Sequence, residues 1–393
     1  MSQAHSGEPV PENPRPASGF GQTGFRQPGF DQTGFGYPPP VRRPRDGRAV
    51  AMAVSGVVAL LLALAAIILP APYVVESPGP TLNTLGSDKD TKIISITGRQ
   101  SYPANGQLDM VTVYVHGGPP SSVNLIEAYR SWMDPKQAVY PVELVYPATA
   151  TKAQITSQNA ADLTNSKDAA RAAALGLLGI DYQQELLVGS VPEGSASTGK
   201  LQANDRLQSI DGKPITALSV VQEVLAAGQG APVTIGVLRD GVAQDVVVTP
   251  AKADDGRFLL GVLLKYSYVF PFDIKISLEN VGGPSAGMMF ALGIIDTLTP
   301  GDLTGGKHFA GTGTIDAAGN VGPIGGIVQK MYGARSAGAT VFLAPAANCN
   351  EVVGKVPDGL QVVRVATLKE AYDAVKTIAS GQDSSALPTC TAR

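Results

Sequence analysis

A chain of 393 residues with 44% hydrophobic and 16% charged side chains has the composition of a globular protein and the length of two or three domains. Its formal charge of −3 excludes the strongly basic balance of a protein that holds a polyanion, so no nucleic-acid partner is expected. The 45 glycines and 30 prolines are unevenly spread, and residues 1–48 hold a large share.

Within that N-terminal stretch Phe20, Phe25, Phe30 and Phe35 mark a five-residue repeat. Such a segment has no core to bury, so residues 1–48 read as a disordered tail, either a plain tether or a set of weak aromatic contacts. Arg42, Arg43, Arg45 and Arg48 then precede the uncharged run Ala49–Leu69, which Pro70 and Pro72 end. As a helix the run is about 31 Å long, enough to cross a bilayer. Residues 49–70 are therefore expected to form a single-pass transmembrane helix. The arginine bias puts the N-terminus in the cytoplasm and everything after Pro70 outside. A cleaved signal peptide is the rival, but the apolar run is long and Ala71-Pro72 is a poor cleavage site.

The outer part is expected to be α+β. Residues 71–180 begin with an extended, proline-punctuated stretch. The segments 91–98, 107–117 and 140–147 alternate as strands, and 122–133 and 157–180 follow a helical period. Residues 181–253 change rhythm: a strand and turn at 185–197, a strand at 207–210 entering the Asp211-Gly212 turn, a short helix, and a hairpin around Asp240-Gly241. The segments 190–197 (Ser-Val-Pro-Glu-Gly-Ser-Ala-Ser), 199–215 and 233–250 together resemble a PDZ domain of the bacterial protease-associated type. The resemblance implies peptide binding by strand addition. It puts the carboxylate-binding loop near Leu178, Gly179 and Ile180, which depart from the usual Gly-Leu-Gly-Phe. A spacing or gating role for this domain is the other reading.

From residue 254 to 380 the order is strand, glycine-rich turn, apolar helix, strand, helix, two strands and a terminal helix capped by Thr367; 381–393 form a polar tail. In Gly282-Gly283-Pro284-Ser285-Ala286-Gly287, Ser285 sits at a helix start, where unpaired N–H groups and the helix dipole favour an oxyanion. Alone, the stretch favours a capped core helix over a nucleophile, since a serine at a helix start is more often a cap. A nucleophilic serine needs a base. His5 lies in the tail, leaving His116 and His308; the alternative is a desolvated lysine, and Lys330 follows Val321, Ile324, Ile327 and Val328.

The order Gly-Pro-Ser-Ala-Gly, a Thr312-bearing strand, Pro323-Ile324-Gly325-Gly326 and Lys330 resembles the proteolytic domain of Lon over roughly residues 270–345. The resemblance implies a Ser285–Lys330 dyad, with Thr312 orienting the lysine; from their place at the helix start, the backbone groups at Gly283, Pro284 and Ser285 are expected to hold the oxyanion. Gly282 and Thr314 depart from the family's Asp and Glu. With an anchor and a PDZ the chain resembles bacterial membrane-anchored PDZ/Lon-like serine peptidases that lack the ATPase module. Residues 301–308 have Gly-x4-Gly-Lys spacing, but His308 replaces the Mg²⁺-binding Ser or Thr, so no nucleotide site is expected. Nor is any cofactor or metal.

Lon's proteolytic domain carries strands ahead of its serine strand, so residues 71–180 are expected to supply them and the PDZ to be inserted in a split protease domain. Cys349 and Cys390 are either one disulfide or two thiols. Expected partners are unfolded or membrane-associated polypeptides, and the resemblance implies a hexameric ring. A non-catalytic PDZ scaffold and a site-specific processing protease are the alternatives.

Overall fold

The computed structural model describes residues 46–119, 121–278 and 281–391; most of the tail read as disordered lies outside them. Helix α1 (Gly47–Ile68) has 22 residues, about 33 Å, and is long and apolar enough to cross a membrane. It leaves Leu60 68% and Leu62 65% exposed, a surface that water disfavours.

The chain then forms β1 (Pro70–Ala71), β2 (Tyr73–Asn83), β3 (Ile94–Thr97), β4 (Gln107–Gly117), β5 (Val123–Asn124), α2 (Leu125–Trp132), β6 (Ala138–Pro141) and α3 (Val142–Val145). The alternating segment 140–147 is thus strand only at Tyr140 and Pro141, the end of β6, and turns into one helical turn at Val142–Val145. Pro141 cannot donate to a ladder, and the Val142 N–H turns to Pro72 O (3.1 Å) while Tyr146 N–H closes the turn on Val142 O (2.9 Å). Conversely β2, proline-rich though it is, is interior to a sheet. Its register with β4 shifts between Pro78 and Thr81, a bulge that absorbs Pro78 and Pro80. Helix α4 (Lys152–Leu177) opens with a Thr151/Gln154 capping box.

Next come β7 (Gln183–Ser190), β8 (Arg206–Ile210), α5 (Leu218–Gly228), β9 (Val233–Arg239), β10 (Val242–Val248), β11 (Leu263–Val269) and β12 (Asp273–Ile276). Then follow α6 (Gly287–Leu298), β13 (His308–Gly311), β14 (Thr314–Ile315), β15 (Val321–Gly322), α7 (Ile327–Ser336), β16 (Val341–Pro345), β17 (Gln361–Val365) and α8 (Leu368–Ala379).

Two main sheets result. The first runs β17-β16-β13-β4-β2-β6, so strands from residues 73–141 complete a sheet whose other half comes from 308–365. β4, β13, β16 and β17 are parallel, and β2 is antiparallel to both its neighbours. The second runs β10-β9-β8-β7-β11 and lies between those halves in sequence. It reaches past residue 253 to Val269, because β11 pairs along β7. Asp211-Gly212 and Asp240-Gly241 all have positive φ, as hairpin turns of type I′ need.

Each sheet has its own core: Leu186, Val188, Ile210, Ile235 and Val237 in the second, Met288, Phe290, Leu292 and Phe309 in the first. Every residue of α6 except Thr297 is buried, so the helix is fixed on all sides. Cys349 and Cys390 form a disulfide that ties the C-terminal segment to the body.

Candidate active site

Helix α6 begins at Gly287, two residues after Ser285. The carbonyl of Ser285 explains the delay: it accepts from Gly313 N–H (2.8 Å) and Thr312 Oγ (3.0 Å), and Met288 N–H reaches back to Gly313 O (3.1 Å). Ser285 is thus held in a turn clamped to the strand end rather than in the first helical turn. On the other side Ser166 of α4, 4% exposed, donates from Oγ to Pro284 O (2.9 Å), and Gly283 N–H donates to Asn159 O (2.9 Å).

These bonds correct the expected oxyanion groups. Gly283 N–H is taken and Pro284 has no N–H. Among the described residues the N–H groups of Ser285 and Ala286, just ahead of α6, have no backbone acceptor. Gly282 fits the same picture. A Cβ there would lie 2.8 Å from Asn159 Cβ, so the packing of α4 leaves no room for the Asp of the resembling family.

Lys330, in the first turn of α7, is 3% exposed. It is enclosed because α7 packs across β2 and β4, with Ile327 and Met331 fully buried on either side of it. Its Nζ donates to Thr312 Oγ (3.3 Å), and Thr312 is itself completely buried. One hydroxyl therefore joins the lysine to the serine's own carbonyl. Burial lowers the Lys330 ammonium to about 8, with Glu76 opposing the shift.

Glu76 went unrecognised in the sequence, where it is only the first charge after the apolar run. It lies on β2, facing the start of α7. Its carboxyl is raised above the usual range by burial; Lys330 pulls it down and Glu351 pushes it up. Its Oε2 is buried without a hydrogen-bond partner. Gly326, the left-handed N-cap of α7 (φ 66°), makes room for it: a Cβ there would stand 3.0 Å from Oε2. Ser166 was also missed; nothing local marks one serine in a polar helix.

His308 is occupied elsewhere, its Nε2 2.7 Å from Asp109 Oδ2. It lies four residues before Thr312, about 13 Å along an extended strand. His116 is exposed beside Tyr114. Lys307 Nζ donates to Ile378 O at the end of α8.

Leu178, Gly179 and Ile180 form the turn between α4 and β7, with Leu178 and Ile180 packed on the first sheet's core, away from the second sheet's groove. That groove, of about 870 Å³, lies between α5 and residues 256–264. The segment beside α5, residues 256–264, follows β10 in sequence, whereas Leu178–Ile180 precede β7. The discoverable signal is the apolar run Phe258–Val262 around Gly261. Gly261 has φ 72°, and its Cβ would fall 2.8 Å from Ser195 Cβ. A second cleft of about 610 Å³ is lined by Leu264–Tyr266 and Tyr268, by Pro284 and Ile315–Ala318, and by Asp162 and Ser166 of α4.

A buried lysine bonded through a threonine to a serine at a helix start, on a mixed sheet, is the arrangement of a serine-type peptidase domain. Residues 280–378 match the model of the Lon protease (S16) C-terminal proteolytic domain. The chain is 33% identical to Lon protease 2 of Bacillus subtilis over 109 residues, 26% of this chain and 19% of that protein. It is 30% identical to Lon protease of Roseiflexus castenholzii over 134 residues, 34% of this chain and 16% of that protein. The chain thus spans about a fifth of these relatives' length.

Solved structures similar to part of it include the PDZ domain of an SdrC-like protein from Listeria monocytogenes, 20% identical with a TM-score of 0.19, over 20% of this chain and 85% of that one. Another, from Geobacillus thermodenitrificans, is 26% identical with a TM-score of 0.19, over 20% of this chain and 94% of that one. The second sheet is defined by its own strand order, β10-β9-β8-β7-β11.

Proposed function

We propose that the protein is a membrane-anchored, ATP-independent serine endopeptidase that cuts unfolded or membrane-associated polypeptides outside the cytoplasm. The observation that carries this reading is Lys330, 3% exposed and hydrogen-bonded to Thr312. A lysine in so dry a place is costly to a merely structural role and suited to a neutral base.

In the mechanism, Ser285 Oγ attacks the scissile carbonyl carbon and its proton passes to neutral Lys330 Nζ. The N–H groups of Ser285 and Ala286 receive the oxyanion. The Lys330 ammonium protonates the leaving amine, giving an acyl-enzyme. Water then attacks, again losing its proton to Lys330, and Ser285 Oγ takes that proton back on leaving. Thr312 holds Nζ in line; Glu76 sets its basicity. The second sheet acts as a PDZ module, admitting an extended chain to the groove beside α5.

The test is cleavage of labelled casein by the full-length protein. Wild type cleaves; Ser285→Ala and Lys330→Ala each lose at least about three orders of magnitude, as removal of a nucleophile or its base does. Cleavage unchanged by either substitution refutes the dyad.

A further inference from the structure

Helix α2 is built inside out for a water-soluble surface. Its buried stripe is small: Ala128 (5% exposed) and Ser131 (7%) rest on the body near Val75 and Val123. Its large side chains point away: Leu125 is 54% exposed, Tyr129 61%, Trp132 69% and Met133, its C-cap, 64%. With Ile126 they form one contiguous apolar face, well beyond the scattered apolar residues of an ordinary surface.

The position of α2 says what covers this face. The chain leaves α1 at Ile68, and two residues later Pro70 and Ala71 pair with Asn124 and Val123. Asn124 is the N-cap of α2, its side chain accepting from Glu127 N–H at 2.9 Å. Pro72 O receives Val142 N–H at the start of α3, whose Leu144 is 76% exposed. Paired strands lie about 4.8 Å apart and eight helical residues rise about 12 Å, so all of α2 lies within roughly 20 Å of the point where the chain emerges. Tyr and Trp favour the headgroup layer at that depth. One Glu and one Arg leave the helix without net charge, so the attraction is apolar and needs no anionic lipid.

We propose that α2 is a second membrane contact, its face of Leu125, Ile126, Tyr129, Trp132 and Met133 lying in the interfacial layer of the bilayer that α1 crosses. This rests on the reading of α1 as a membrane anchor. The contact would fix the catalytic domain against the bilayer instead of leaving it on a swivel.

Trp132 is the only tryptophan in the sequence and reports on its own surroundings. Full-length protein is reconstituted in phosphatidylcholine vesicles with plain or brominated acyl chains and isolated by flotation. The expected result is blue-shifted Trp132 emission that loses most of its intensity in the brominated vesicles. The Leu125→Glu/Met133→Glu variant should still float and still cleave casein, but escape quenching. Floating protein with water-like, unquenched emission overturns the docking and leaves the anchor standing. Blue-shifted emission that bromine does not quench also overturns it, since protein, such as a second copy, then covers the face. Protein that does not float refutes the anchor and this contact with it.

Discussion

Burial destabilises the charged form of Lys330, which suits it to the proposed role of base and at the same time costs the fold stability. With the group near 8 in the folded enzyme, kcat/KM should climb as pH rises through about 8 and then level off, which a pH–rate profile checks. Glu76 faces this lysine from β2, and Glu351, Tyr140 and Tyr146 are the other titratable groups coupled to Glu76. Because its charge holds the ammonium up, Glu76→Gln should move the rising limb to lower pH; an unmoved limb denies Glu76 this influence.

The same burial bears on stability. The folded pKa lies below a lysine's ordinary 10.5, so the unfolded chain holds a proton that the folded one releases between about 8 and 10.5. Folding therefore becomes more favourable as pH rises through that window. Below it the lysine costs on the order of 3 kcal/mol, so Lys330→Met should raise the melting temperature at neutral pH, with the gain shrinking toward pH 10.5. Calorimetry across that range reads the difference.

Among the elements, α6 and its approach decide whether Ser285 is rigid. Gly287 has no space for a side chain: a Cβ would meet Ile315 Cγ2 at 2.7 Å and Ser166 Oγ at 2.9 Å. Gly287→Ala should cost about 1–3 kcal/mol by overpacking, read as a lower denaturation midpoint. Ser166→Ala removes the bond to Pro284 O and should cut kcat by about tenfold, or ~1.4 kcal/mol, with KM little changed. The apolar character of α6 and the glycine turn before it were legible in local sequence. The delayed start of α6 was not, because it depends on Gly313 and Thr312, 27 or more residues away, claiming the carbonyl of Ser285. Likewise β2 read as a merely extended exit, since nothing local reveals that β4 and β6 will close on both its edges.

At the scale of the molecule, one sheet is interrupted by another. β11 is the edge strand of the second sheet, and its Leu264–Tyr266 and Tyr268 line the cleft that Pro284 borders. A chain held in the groove beside α5 would therefore be delivered along β11 toward Ser285. Leu259→Lys with Leu263→Lys, both exposed at the groove, should raise KM for casein several-fold while sparing a short peptide ester. Equal loss on both substrates would show that the groove acts on the catalytic centre and not on recruitment.

What the sequence by itself determined is what short-range chemistry encodes: an uncharged run long enough to span, helix and strand periods, Asp-Gly turns, and the Ser285, Thr312 and Lys330 spacing. Tertiary structure alone decided which partners those residues meet. It brought Glu76 to Lys330 from 254 positions away, left the N–H groups of Ser285 and Ala286 without a backbone acceptor among the described residues, and packed Leu178 and Ile180 on the first sheet's core while a cavity opened beside Phe258–Val262. The reason is physical: periodicity records which face of an element is buried, whereas the partner on that face is chosen by packing between strands and helices far apart in the chain.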